Sequence, residues 1–465
     1  MFKHAARGLL MTQDTIQSVL FPHIFSKPIV ACFDQPDSSS DGGAIFLKAL
    51  DSELDLTKRL AGCIDDDRQS GKIVHQLFDL FRQRVFGIAC GYADCNDAAR
   101  IGSDPVHKLL LDKDPIDGAP LGSQPTLSRF ENSVSSKDLY RMGCELADIV
   151  IDHHARRLKG KAHRITIDMD PTDDPTHGAQ QLSFFNAHYD SYCYLPMVGT
   201  LQFDDDKEKY LFTVVLRPGN AHASRGAIGI LMRLLTRLRD AFPKTIFRVR
   251  LDGGFATPAI LDYLELEGVE YLVGIASNCR LEKRARRLMG KVRMMSRKSG
   301  KTETLFGETL YAAGKWSHRR RVIIKAEVVR YPGRDPRDND RFVVTNLRHN
   351  PESVYQTYRG RGDAENRIKE LHHGLEIDRT SCTNFLANQL RVFMTSAAYI
   401  LFQELRRRAA GTDLATAQVT TLRERLLKVA VWVEKSVRRI VFHFPINFPW
   451  LNCWKHIAQA VASTS

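Results

Sequence analysis

The sequence predicts a mixed α/β fold, and three observations carry that prediction. Near residue 163 the helical spacing of apolar residues gives way to strand alternation. Three strands then follow one another with no helix between them. Helix, strand, helix and strand come next, in the order expected of parallel crossovers. Together these call for one sheet with an antiparallel and a parallel part, flanked by helical regions.

The elements follow in order. Residues 71–93 and 135–158 carry apolar side chains at helical spacing. Between them "LDKDPIDGAPLGSQPTLSRFENS" is rich in Pro, Gly and Ser and reads as a loop, and "DQPDSSSDGG" as a second loose segment. "HRITIDMD" alternates as the first strand, and "YCYLPMVGTLQF" and "KYLFTVVLRPG" follow across the acidic turn "DDDKE". "SRGAIGILMRLLTRLRDAF" is an amphipathic helix. "KTIFRVRLDGG" is a fourth strand, with Phe247, Val249 and Leu251 on one face. "ATPAILDYLELEG" is a helix capped by Thr257 with Pro258 at its first position, and "VEYLVGIA" is a fifth strand. A basic run, "CRLEKRARRLMGKVRMMSRKSGK", then opens an insertion whose strands are "ETLYAAGKW", "RRRVIIKAEVVR" and "DRFVVTNL". "YRGRGDAENRIKELHHG" reads as a turn-rich entry into a helix that stops at Gly374, with Gly360 and Gly362 blurring where it begins, and the remainder to residue 465 as helical.

The chain has 465 residues, 43% hydrophobic and 26% charged, with a formal net charge of +13. That length calls for two or three domains. The charge points to a polyanion, with nucleic acid ahead of a membrane surface. No apolar run is long enough to span a bilayer, and the opening residues lack a full signal-peptide core, so a cytoplasmic protein is expected. Nine scattered cysteines without a C-x-x-C argue against a disulfide framework or zinc ribbon. Cys90 and Cys95 with His107 are better read as reduced thiols beside a histidine than as a metal site.

Acidic residues at three places in the chain stand out by placement. Asp168 and Asp170 end the first strand on one face. Asp252 ends the fourth strand, before two glycines that allow a sharp turn and leave room for a bulky ligand. Glu365 lies on the helix after the insertion, with Tyr358, Arg361 and His372 within roughly a 60° arc of it at about 100° per residue. In open sheets ligands sit at strand ends. Three carboxylates meeting there would suit Mg²⁺ or Mn²⁺, and two such ions suit in-line attack on a phosphodiester. Taken singly, an Asp before Gly is an ordinary turn residue, as Asp173 and Asp174 in "DPTDDPTHG" are expected to be.

The joint pattern resembles the ribonuclease-H-like core of the DDE transposases. Tyr358, Arg361, Glu365 and His372 are similar to the Y-x2-R-x3-E-x6-K signature of a large bacterial insertion-sequence group, with His in place of the final Lys. Lys369 lies on nearly the same face. The segments around Asp170 and Asp252 resemble that group's first and second catalytic segments, and the likeness covers residues from about 160 to 380. It implies a cut-and-paste transposase that binds terminal inverted repeats, pairs two ends as a homodimer, cleaves them and joins the 3′-hydroxyls to target DNA. It implies catalytic and metal-binding roles for Asp170, Asp252 and Glu365, with Asp168 the alternative to Asp170, and two Mg²⁺ or Mn²⁺ ions. Tyr358, Arg361, Lys369 and His372 would hold DNA, and Trp316 in the insertion would stack a base.

The organisation expected is a helical DNA-binding region over 1–155, a catalytic core over 156–278 and 351–380, a β-rich basic insertion over 279–350, and a helical region over 381–465. The setting implied is a bacterial cytoplasm, at the nucleoid. Two other readings stand beside this one: another ribonuclease-H-like DNA nuclease, and a transposase remnant that binds DNA without cutting it.

Overall fold

The computed structural model describes residues 25–27, 29 and 33–462; the opening residues 1–24, read above for a signal peptide, lie outside the described residues. The β-branched and aromatic runs of the central region form one eight-stranded sheet. Its strands in chain order are β1 (Arg164–Pro171), β2 (Met197–Phe203), β3 (Tyr210–Val215), β4 (Ile246–Leu251), β5 (Glu270–Ile275), β6 (Glu303–Tyr311), β7 (Arg320–Val329) and β8 (Arg337–Thr345). Across the sheet they lie in the order β6-β7-β8-β5-β4-β1-β2-β3. β1, β4 and β5 are parallel, and β2 and β3 antiparallel to their neighbours. The five strands β3-β2-β1-β4-β5, with helices on the crossovers, make a ribonuclease-H-like core.

The insertion is continuous with that sheet. β8 pairs antiparallel with β5, from Phe342 opposite Ile275 to Thr345 opposite Leu272, and β7 and β6 follow by hairpins. The basic run before it is a helix, α4 (Cys279–Ser299), which the sequence reading left without a structure. Leu281, Ala285, Met289 and Val292 fall at helical spacing and pack on β6 and β7, while most of its lysines and arginines face outward.

Helix α1 (Ser136–Leu158) is held at its start by a reciprocal Ser135–Asp138 capping box. α2 (Ala227–Ala241) and α3 (Pro258–Leu266) are the crossover helices. Thr257 caps α3 through the Ile260 amide. α5 (Pro351–Arg359) and α6 (Gly362–Leu375) divide the segment, so Tyr358 ends one helix and Glu365 lies in the first turn of the next. The break falls at Gly360, where a Cβ would collide with the Arg250 guanidinium. α6 ends on Glu376 in the left-handed conformation, past Gly374.

α7 (Phe385–Arg408) is buried for almost its whole length. Its glutamines serve the sheet edge, where an exposed strand would leave amides unpaired. Gln389 accepts from the Leu216 amide at 2.6 Å, and Gln403 accepts from Leu211 at 2.9 Å and donates to the Lys209 carbonyl.

Two segments depart from the expectations. Gln124–Glu131, inside the stretch read as a loop, is a helix with Pro125 in its first turn and Leu127 and Phe130 buried. Residues 431–435 and 440–443, expected to be helical, form a β-ribbon that pairs with Ser38–Ser39.

Candidate active site

Strand β1 delivers Asp170 and β4 delivers Asp252 to the same end of the sheet, because the two strands run parallel in adjacent positions. After Asp252 the chain turns through Gly253 and Gly254, and Asp252 accepts the Gly254 amide at 2.9 Å. A Cβ on Gly254 would lie 2.6 Å from that of Ala223, so the turn needs glycine there. Glu365 comes from the first turn of α6, its side chain about half exposed.

Arg361, at the head of α6, lies between these groups. Its Nη1 donates to Asp170 at 2.7 Å and its Nη2 to Glu365 at 2.6 Å. Burial, together with the charges of Asp252 and Glu365, pushes the Asp170 carboxyl up to about 7, against the pull of Arg361. Arg361 therefore bridges two of the three carboxylates, while Asp252 acts on the pair through its charge. Tyr358, at the end of α5, lays its hydroxyl over Gly274 of β5, where a Cβ would come within 2.6 Å. Burial and the nearby Asp252 raise that hydroxyl's pKa.

A cleft of about 440 Å³ opens beside Asp170 and Glu365 and is walled by Thr172, Lys369, His372 and His373. His372 Nε2 lies 3.0 Å from Thr172 Oγ1, and its Nδ1 is 3.2 Å from Asp378. A larger and mainly apolar cavity, about 780 Å³, opens among α1, α2, β3 and the start of α7, away from the carboxylates.

Asp168 is placed differently. Its carboxylate is 2% exposed and accepts from Arg250 at 2.8 and 2.7 Å and from Lys209 at 2.9 Å. Arg250 donates onward to the Thr357 carbonyl at 3.1 Å, and Lys209 to that of Gly360. This buried knot fixes the turn that presents Arg361. Sequence reasoning missed Arg250 and Lys209; for Arg250 the available signal was a charged residue inside an otherwise apolar central strand, "IFRVRL", whereas Lys209, next to an acidic turn, gave none.

Trp316 lies apart from the cluster in its contacts. It is half-buried, edge-on to Tyr311 at 5.5 Å and under Arg320 at 5.3 Å, beside the acids of α3.

The donor chemistry fits a hard divalent cation: oxygen ligands only, and a guanidinium bonded where positive charge is needed. The carboxylates are spread around that guanidinium. Among the described residues, the ligand-type groups with atoms within 4.8 Å of one another are elsewhere: Asp41 with Cys90 and His107, His153 with His154 and Glu404, and Asp262 with Glu265 and His318. Each already has an internal cation or proton donor nearby, such as Lys428 at 2.7 Å from Asp41.

A family model described as transposase DDE domain, group 1, matches residues 21–465. Comparison with curated proteins returns no match.

Proposed function

This chain belongs to the transposase DDE domain family, group 1, and from that premise we propose cut-and-paste transposition. The protein binds the terminal inverted repeats of its element, pairs two ends as a homodimer, cleaves them and joins the 3′-hydroxyls to target DNA. The observation that carries this reading is the Arg361 guanidinium held between Asp170 and Glu365 with Asp252 alongside.

Asp170, Asp252 and Glu365 are the proposed holders of two Mg²⁺ or Mn²⁺ ions. Those ions, when bound, activate the attacking oxygen and stabilise the leaving one. The chain's own side chains position the strand. Arg361 exchanges its carboxylate partners for a phosphate, since a guanidinium offers both the same forked geometry. Lys369 and His372, on the wall of the cleft, take neighbouring phosphates, and Asp378 orients the His372 ring. Tyr358 is a positioning residue, wedged between β5 and Arg361. The packing of Trp316 supports a structural part for it rather than base stacking.

In this scheme the outward basic face of α4 tracks DNA outside the cleft, and the regions flanking the core on its N- and C-terminal sides carry end recognition. No helix among the described residues is long and apolar enough to cross a membrane. The proposed workplace is the nucleoid.

The test is nicking of a duplex carrying the element's terminal repeat, with Mg²⁺, against the same duplex with the repeat scrambled. Specific nicking followed by strand joining is expected. Cutting without end specificity would favour a general ribonuclease-H-like nuclease, and binding without cutting a remnant.

A further inference from the structure

Four residues beyond Asp170 the chain enters a second, small sheet. Asp174 pairs with Tyr194 and Pro175 with Cys193, and residues 184–186 pair with 191–193 to complete a hairpin. The hairpin is firmly seated. Asn186 donates to the Gly219 carbonyl at 2.7 Å and its Oδ1 accepts the His188 amide at 3.0 Å. Gly219 has no Cβ to block the carbonyls of Phe184 and Cys193 that crowd it.

The hairpin shows aromatic rings to solvent. Phe185 and Tyr192 are direct cross-strand partners, 50% and 64% exposed, with ring centroids 5.6 Å apart. Phe184 is also exposed, at 40%. No contact among the described residues covers this face. Tyr189, at the hairpin turn, is half-buried, and burial, with the charges of Asp173, Asp170 and Asp252 adding to it, pushes its hydroxyl up to about 12. The hairpin is thus joined through Asp174–Pro175 to the strand that carries Asp170, with the two rings on its flank.

We propose that this hairpin binds unpaired nucleobases of the DNA end held at the carboxylates, with Phe185 and Tyr192 as the stacking surface. The proposal rests on the DNA-cleaving function above. Three features select a base over other apolar occupants: attachment beside the cleaving groups, rings in place of aliphatic side chains, and a chain of net charge +13 that favours a polyanion. Every base has a face to stack, so such a platform grips frayed or tailed ends whatever their sequence.

Binding is measured without divalent metal, by fluorescence anisotropy, on one duplex made blunt or given a short single-stranded tail containing 2-aminopurine. Wild type should prefer the tailed DNA by at least about fivefold and quench the probe. Phe185→Ala with Tyr192→Ala should erase the preference and the quenching while blunt-duplex affinity holds. Phe185→Trp should keep both. Equal affinity of wild type for the two DNAs, or a preference that survives the double substitution, overturns the proposal and leaves the cleavage reading standing. Failure of wild type to bind either DNA overturns both. A double variant that loses self-association yet keeps its tail preference assigns the rings to a second copy of the chain and also overturns the proposal.

Discussion

Asp168 and Asp170 sit two residues apart on one strand and face the same helix turn, yet their surroundings differ in kind. Asp168 is enclosed, with two buried cations and three short hydrogen bonds. Asp170 has one cation, shared with Glu365, and opens onto a cleft. A carboxylate whose charge is fully offset inside the protein can organise structure but has nothing left for a ligand. One whose offset is incomplete, among other carboxylates, can take a metal ion. The comparison also assigns the two a sequence of dependence: the Asp168 knot fixes the turn, and the turn places Arg361 against Asp170.

The largest effect should come from breaking the enclosed pair. Asp168→Asn leaves Arg250 and Lys209 buried without a counter-charge, and the expected loss is about 3–5 kcal/mol of stability. Asp170→Asn should change stability by no more than about 1 kcal/mol, since it relieves repulsion with Asp252 and Glu365. Urea denaturation of both variants checks this. Equal losses would erase the distinction between the two aspartates.

Next in size is the sheet edge. Gln389→Leu would strand the Leu216 amide, at a cost of about 1–3 kcal/mol, read by the same denaturation series. A neutral result would mean that water reaches β3 past α7.

Asp174 sharpens the comparison through pH. It is buried, accepts from Thr380 with both oxygens, and burial pushes its carboxyl up to about 8. The folded chain thus keeps a proton that the unfolded chain releases near pH 4. Asp174's contribution to stability is greatest below that pH and declines as pH rises towards 8. Asp174→Asn mimics the protonated form, so it should match wild type near pH 4 and exceed it by a margin that widens steadily as pH rises to 8. Melting temperatures across that range give the answer; a constant difference would mean Asp174 is ionised in the fold.

The smallest effect per residue concerns DNA. Lys283, Arg287 and Lys291 on α4 are exposed and have no ion-pair partner among the described residues. Each one replaced by Ala should flatten the slope of log affinity against log salt by about 0.9 if it meets a phosphate. An unchanged slope in a filter-binding series would remove α4 from the interface.

Much of this arrangement was legible in the sequence where local pattern and tertiary environment agree. Strand period and the Asp252-Gly-Gly turn put the core strands and their end carboxylates in place. Gly360 and Gly362 blurred the helix start before Glu365, yet Tyr358 was placed on the same helix, because the reason for the break is the approach of Arg250 to Gly360, a contact across 110 residues. α4 escaped notice since its buried stripe is thin and its composition is dominated by solvated charge. The 431–443 ribbon depends on pairing with Ser38–Ser39 at the far end of the chain, which periodicity does not report. The guanidinium between Asp170 and Glu365 was likewise beyond reach: helical spacing puts Arg361 and Glu365 on one face but says nothing about β1.

The central claim is that Asp170, with Asp252 and Glu365, holds metal. Calorimetric titration of Mn²⁺ into the complex with terminal-repeat DNA tests it most directly, using wild type and Asp170→Asn side by side with gel-shift controls. Wild type should bind Mn²⁺, and Asp170→Asn should bind the DNA as well as wild type but take up the metal far more weakly. Equal Mn²⁺ affinity in the two complexes would contradict the assignment.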